Sequence, residues 1–161
     1  MKTLIVYYSL EGNTEWAVRR MAEILDADVQ RLVPKKSYPD KGFKKFLWGG
    51  KSAVMKETPE IEPLETDAKN YDRIIFASPV WAGTFAPPLR TYLQKTQPEG
   101  KQYALVLCSS GGGTQKAADQ LGVMLGAAQA LPVLSLIDPK SRPDAGNEEK
   151  IRAFCHQLQT L

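Results

Sequence analysis

Residues 9–14 read Ser-Leu-Glu-Gly-Asn-Thr and join the apolar run Leu4-Ile5-Val6-Tyr7-Tyr8 directly to Glu15-Trp16-Ala17-Val18-Arg19-Arg20. A loop that opens a helix presents backbone amides without intrahelical partners, and the helix dipole adds partial positive charge at that end. Ser9, Asn13 and Thr14 can contribute side-chain donors, and Gly12 lets the backbone come close to an anion. The loop therefore suits a phosphate monoester, although it carries no lysine or arginine. It lacks the Gly-Lys-Ser/Thr of a Walker loop and has one glycine where a dinucleotide fingerprint needs three. The same residues also fit a plain helix start, with Asn13 or Thr14 as the cap and no ligand at all.

Two later stretches have comparable chemistry. Ser78-Pro79-Val80-Trp81-Ala82-Gly83-Thr84-Phe85-Ala86-Pro87-Pro88 stiffens a segment around one large flat ring. A lone tryptophan is commonly filler, but Trp81 follows directly on an apolar run. Ser109-Ser110-Gly111-Gly112-Gly113-Thr114 offers backbone amides with almost no side chain in the way. Such a run fits the polar edge of a planar ligand, or else is simply a turn.

The elements that must carry these loops alternate. Strand-like runs cover Lys2–Tyr8, Asp28–Val33, Asp72–Ser78, Tyr103–Ser109 and Leu131–Ile137, and their near-continuous apolar character fits strands buried on both faces. Helical periodicity covers Thr14–Leu25, Pro87–Thr96, Thr114–Ala128 and Asn147–Leu161, with prolines admitted at the first turn of the second. This order predicts an α/β protein with a parallel sheet and helices on both faces. Ligands of such sheets bind beyond the carboxyl ends of the strands, where all three loops fall. The segment Pro34–Pro63 interrupts the alternation and is expected to hold one or two short helices; the 161 residues otherwise suit one domain.

Net charge is +3 and unevenly placed. Lysines 35, 36, 41, 44, 45, 51 and 56 face one acid, Asp40, between Pro34 and Lys56, so the remainder is mildly acidic. A lysine-rich stretch without a nucleic-acid motif reads as a solvated face, and no nucleic-acid partner is expected. No apolar run approaches membrane-spanning length. Cys108 and Cys155 form neither a disulfide framework nor a ligand spacing, which favours a reduced, cytoplasmic setting, and the single His156 builds no metal site. A phosphatase of related topology needs Cys, five residues, then Arg, yet Cys108 is followed at that distance by Thr114. A phosphorelay receiver needs acids where Tyr7-Tyr8 and Ser78-Pro79 stand.

Taken together, the three loops in this order resemble the flavodoxin-like family, whose members bind FMN. The resemblance covers essentially the whole chain apart from Pro34–Pro63. It implies a three-layer fold with a five-stranded parallel sheet in the order 2-1-3-4-5. It also implies FMN contacts from Ser9, Leu10, Glu11, Gly12, Asn13 and Thr14 to the phosphate, from Pro79, Val80, Trp81, Ala82 and Gly83 beside the flavin ring, and from Ser109, Ser110, Gly111, Gly112 and Gly113. Glu11 departs from the pattern, standing where the family commonly has a hydroxyl residue. The third loop also supplies no second aromatic, so one flavin face is open or is covered by Phe46 or Trp48 of the insert. Family carriers are acidic around the flavin; Ser78–Arg90 and Cys108–Ala118 contain no acid, and Arg90 and Lys116 are close by, which implies a second reduction potential less negative than theirs. The implied function is electron transfer to a redox partner protein or small acceptor. The alternatives are an FMN-dependent NAD(P)H oxidoreductase acting on quinones, and a non-flavin interaction module.

Overall fold

The computed structural model describes residues 1–38, 51, 55–142 and 145–161. Six strands are present among them: β1 (Thr3–Tyr7), β2 (Asp28–Arg31), β3 (Arg73–Trp81), β4 (Thr84–Phe85), β5 (Gln102–Ser109) and β6 (Val133–Ile137). Four α-helices accompany them among the described residues: α1 (Asn13–Leu25), α2 (Pro87–Thr96), α3 (Gln115–Met124) and α4 (Ala145–Gln159). The sheet runs β2-β1-β3-β5-β6, all parallel, and β4 pairs antiparallel with the end of β3. Setting β4 aside, this is the expected 2-1-3-4-5 order.

Alternation along the strands builds two cores. Leu4 and Val6, Ile74 and Phe76, and Leu105 and Leu107 point to one face, where Leu89, Tyr92 and Leu93 of α2 and Ala117 and Leu121 of α3 cover them. Ile5 and Tyr7, Ile75 and Ala77, and Ala104, Val106 and Cys108 point to the other, under Ala17, Val18 and Met21 of α1 and Ile151, Phe154 and Leu158 of α4. Burial on both faces is what makes β1, β3 and β5 read as unbroken apolar runs.

The structure differs from the expected boundaries in two instructive places. β3 does not stop at Ser78 but continues to Trp81, because Val80 and Trp81 find partners in Phe85 and Thr84 of β4. The third helix ends at Met124, not Ala128: Gly126 turns to φ +62°, and Leu125, Gly126 and Ala127 donate back to carbonyls of the last turn. The short helices expected within 34–63 fall mainly on residues outside those described.

The two ends of that insert are zipped together. Pro34 bridges Ile61 antiparallel, the Lys35 amide donates to the Glu60 carbonyl (2.9 Å), and the Glu62 amide donates to the Val33 carbonyl (2.8 Å). Just beyond, buried Gln30 of β2 accepts at its side-chain oxygen from the Glu65 amide (2.8 Å), the Thr66 amide (3.0 Å) and the Thr66 hydroxyl (3.1 Å). One side-chain carbonyl thus pins the returning segment to the edge strand. Replacing Gln30 by leucine leaves those amides without their acceptor and should lower unfolding free energy by about 2 kcal/mol, measured by urea denaturation.

Candidate functional site

The three loops meet at the carboxyl ends of β1, β3 and β5 around a cavity of about 260 Å3. Of the residues expected there, Ser9, Leu10, Glu11, Asn13 and Thr14, then Pro79, Val80, Trp81 and Ala82, then Ser109 and Ser110 line its wall. Gly12, Gly83, Gly111, Gly112 and Gly113 lie beside it and not in the wall. Two residues that the loop patterns did not single out, Cys108 and Asp138, complete the lining. Asp138 comes from the loop after β6 and reaches the site because β6 lies next to β5. No spacing rule links it to the other loops.

The first loop is organised so that the start of α1 is left open. Gly12 occupies the cap position at φ +94°, a conformation glycine adopts without steric cost, and it has no side chain with which to cap the helix. Asn13 does not serve as a cap: its side-chain oxygen accepts from the Lys140 amide at 2.9 Å. Ser9 accepts from the Glu15 amide at 3.2 Å, which leaves its own O–H able to donate. Thr14 is 1% exposed, and its hydroxyl finds no nitrogen or oxygen partner; only the weakly bonding Cys108 thiol lies beside it. A buried hydroxyl without a strong partner is costly, so its place in the wall of a cavity is informative.

Charge near this helix start is controlled. The acid of the first turn, Glu15, binds Arg19 at 2.6 Å and Arg31 at 3.3 Å, and those guanidiniums hold its carboxyl below the usual range, Arg19 first. Asp138 accepts from the Ser110 hydroxyl at 3.0 Å and lies 3.8 Å from Arg142. At the floor, burial pushes the Cys108 thiol up to about 12, with the Thr14 hydroxyl pulling the other way. A thiol so disfavoured as thiolate is a core residue, not a nucleophile.

The second loop is a tight hairpin. Ala82 at φ +49° and Gly83 at φ +77° form a two-residue turn of the kind that requires positive φ at both positions. Its base is fixed by the Ser78 hydroxyl, which accepts from the Ala86 amide at 2.9 Å and donates to the Pro79 carbonyl at 2.8 Å. The Thr84 hydroxyl donates to the Gln120 side-chain carbonyl of α3. Trp81 meets Tyr8 edge to face at 5.6 Å between centroids and Tyr38 at 5.3 Å, so the ring is held by the end of β1 and by the first residues of the insert. Phe46 and Trp48 lie outside the described residues. The third loop is partly closed on itself, because the Gly112 amide donates to the Ser109 hydroxyl at 3.0 Å.

This fold, with an open helix start and a held aromatic ring at the switch point of the sheet, defines a flavodoxin-type architecture. Residues 2–152 match the family described as Flavodoxin, and the chain belongs to that family. Comparison with curated protein sequences gives no match. Among solved structures, a flavoprotein from Lactobacillus acidophilus NCFM in complex with FMN is 26% identical, with a TM-score of 0.67 over 87% of this chain and 95% of that one. Oxidised flavodoxin 1 from Bacillus cereus is 18% identical, with a TM-score of 0.64 over 99% and 98%. An NADPH-quinone reductase from P. pentosaceus is 12% identical, with a TM-score of 0.60 over 98% and 97%. The last two share the fold, and fold alone does not fix function. Among the described residues there is no group of His, Cys, Asp and Glu able to hold a metal, and no helix long and apolar enough to cross a membrane.

Ala82 carries the strain of the hairpin, since an alanine at positive φ costs about 1–2 kcal/mol relative to its preferred conformations. Ala82→Asn creates the Asn-Gly pair favoured in such turns and should raise stability by about 1 kcal/mol. A thermal melt of the two proteins checks this, and an unchanged or lower midpoint would contradict the turn geometry.

Proposed function

We propose that this protein binds FMN in the cavity formed by the three loops and works as a flavodoxin-type electron carrier. The observation that carries this reading is the start of α1: a helix whose cap residue is glycine, with a buried Thr14 hydroxyl that finds no nitrogen or oxygen partner in the same wall as Trp81. These residues fit the cofactor. The amides of residues 11–14 with the Ser9 and Thr14 hydroxyls offer donors to a phosphate, as helix starts do. Leu10, Pro79, Val80 and Trp81 offer an apolar wall to a flat ring. Ser109 and Ser110, also in the wall, would offer polar atoms to an edge of that ring.

When bound, FMN supplies the reversible uptake of one or two electrons; the chain supplies binding, orientation and local charge. Ser78 anchors the β3–β4 turn beside the ring site, so the Ala82–Gly83 peptide is held in a defined place. Lys116 leans its aliphatic stem on that turn, with Cδ 3.7 Å from where a side chain on Gly83 would begin. A cation there favours added negative charge nearby, whereas Glu11 and Asp138 in the cavity wall oppose it. The acceptor is a redox partner protein or a small molecule. A reductase fed by NAD(P)H is the second reading, favoured by a third loop that brings Ser109 and Ser110, and no aromatic ring, to the cavity wall.

Titration of the apoprotein with FMN, followed by quenching of flavin fluorescence, tests the binding. Thr14→Val removes the buried hydroxyl. It should leave the apoprotein as stable or about 1 kcal/mol more stable while weakening FMN binding about tenfold, a loss of about 1.4 kcal/mol. A wild type that leaves flavin fluorescence unchanged, or a Thr14→Val variant with wild-type affinity, would defeat the assignment. Steady NAD(P)H consumption with a quinone by the FMN-loaded protein would replace the carrier with the reductase.

A further inference from the structure

The loop at residues 9–14 contains no cation of its own, yet a cation reaches it from 127 residues further along the chain. Lys140 follows β6, in the loop that also supplies Asp138. Its backbone amide donates to the Asn13 side-chain oxygen at 2.9 Å, and its Nζ donates to the Glu11 carbonyl at 3.3 Å. The two bonds straddle Gly12. A Cβ built on Gly12 would stand 2.8 Å from Nζ and 3.1 Å from Cδ, so the lysine side chain lies across the glycine.

We propose that Lys140 completes the phosphate subsite, supplying from a distant part of the same chain the positive charge that the first loop lacks and selecting the phosphorylated flavin over the uncharged one. The proposal rests on the FMN reading above. That the helix start is a site at all has support independent of the lysine, in the buried Thr14 hydroxyl that finds no nitrogen or oxygen partner in the cavity wall. Among the described residues Lys140 makes no ion pair; the acid on the adjoining turn, Glu15, is held by Arg19 and Arg31, with Lys140 adding a smaller pull on its charge. The Glu11 carbonyl takes one of its three N–H donors and leaves two for a phosphate oxygen. An ammonium beside open helix amides offsets part of a dianion's charge, and the same charge draws an anionic ligand to the mouth of the site. Gly12 then has two reasons to be glycine: its positive φ, and the lysine that crosses it.

The test compares FMN with riboflavin, which has the same ring and no phosphate, on wild-type apoprotein and on Lys140→Gln and Lys140→Arg. Glutamine keeps a donor for the Glu11 carbonyl and removes the charge. Lys140→Gln should lose about tenfold in FMN affinity, leave riboflavin affinity unchanged, and flatten the dependence of FMN affinity on salt. Lys140→Arg should stay near wild type. A parallel loss for both flavins would mean that Lys140 only ties two loops together, and would overturn the proposal, as would unchanged FMN affinity in Lys140→Gln. A wild type that binds neither flavin would overturn the FMN reading and this proposal with it, so the two failures are distinguishable.

Discussion

The protein is arranged around one need that is met only in part: the first turn of α1 has a glycine at its cap position, and Ser9 answers just one of its free amides. Helix starts normally have their free amides answered by the preceding side chain, and here Gly12 has none to give. Asn13, the residue best suited to the task, is committed to Lys140, and Ser9 answers only the Glu15 amide. The helix cannot slide to find other partners, because Ala17, Val18 and Met21 are fully buried against β1, β3 and β5. Packing thus holds in place an electrostatic demand that a ligand can satisfy.

The remaining walls are positioned with comparable economy. Ser78 sits at the point where β3 leaves the sheet, and its one hydroxyl both accepts from and donates to the hairpin backbone. Trp81 is then steadied by rings from two other parts of the chain, Tyr8 at the end of β1 and Tyr38 at the start of the insert. Aromatic contacts of this edge-to-face kind are individually small, but three rings in mutual contact restrict one another's rotation. The ring wall of the cavity is therefore fixed before anything binds, and the cost of ordering it falls on folding, not on binding.

Much of this was legible in the residues. The five parallel strands show as apolar runs because both faces of the sheet are covered, and the helices show as stripes at three and four residues because only one side of each is covered. Buried Ile151, Phe154, Cys155 and Leu158 of α4 are one such stripe. β4 escaped notice because two residues carry no periodicity, and its turn uses Ala82 at a positive φ that sequence patterns do not assign to alanine. The alternative in which Asn13 or Thr14 caps α1 fails on tertiary grounds: each has the right chemistry, but Asn13 is diverted by a loop far along the chain and Thr14 faces the cavity. Asp138 and Lys140 were silent for the same reason, since adjacency of β5 and β6 places them at the site, and adjacency is a property of the assembled sheet.

The stem formed by Pro34 with Ile61 and by Lys35 with Glu60 separates two kinds of evolutionary freedom. Below the stem, register with β2 and the Gln30 anchor constrain every substitution. Beyond it the chain departs and returns at the same place, and the cost of closing such a loop grows only slowly with its length. Tyr38 lies just past that junction and touches Trp81. A family member could therefore exchange the whole outer segment, and with it whatever meets the cofactor's surroundings, while keeping the flavin chemistry of the scaffold intact.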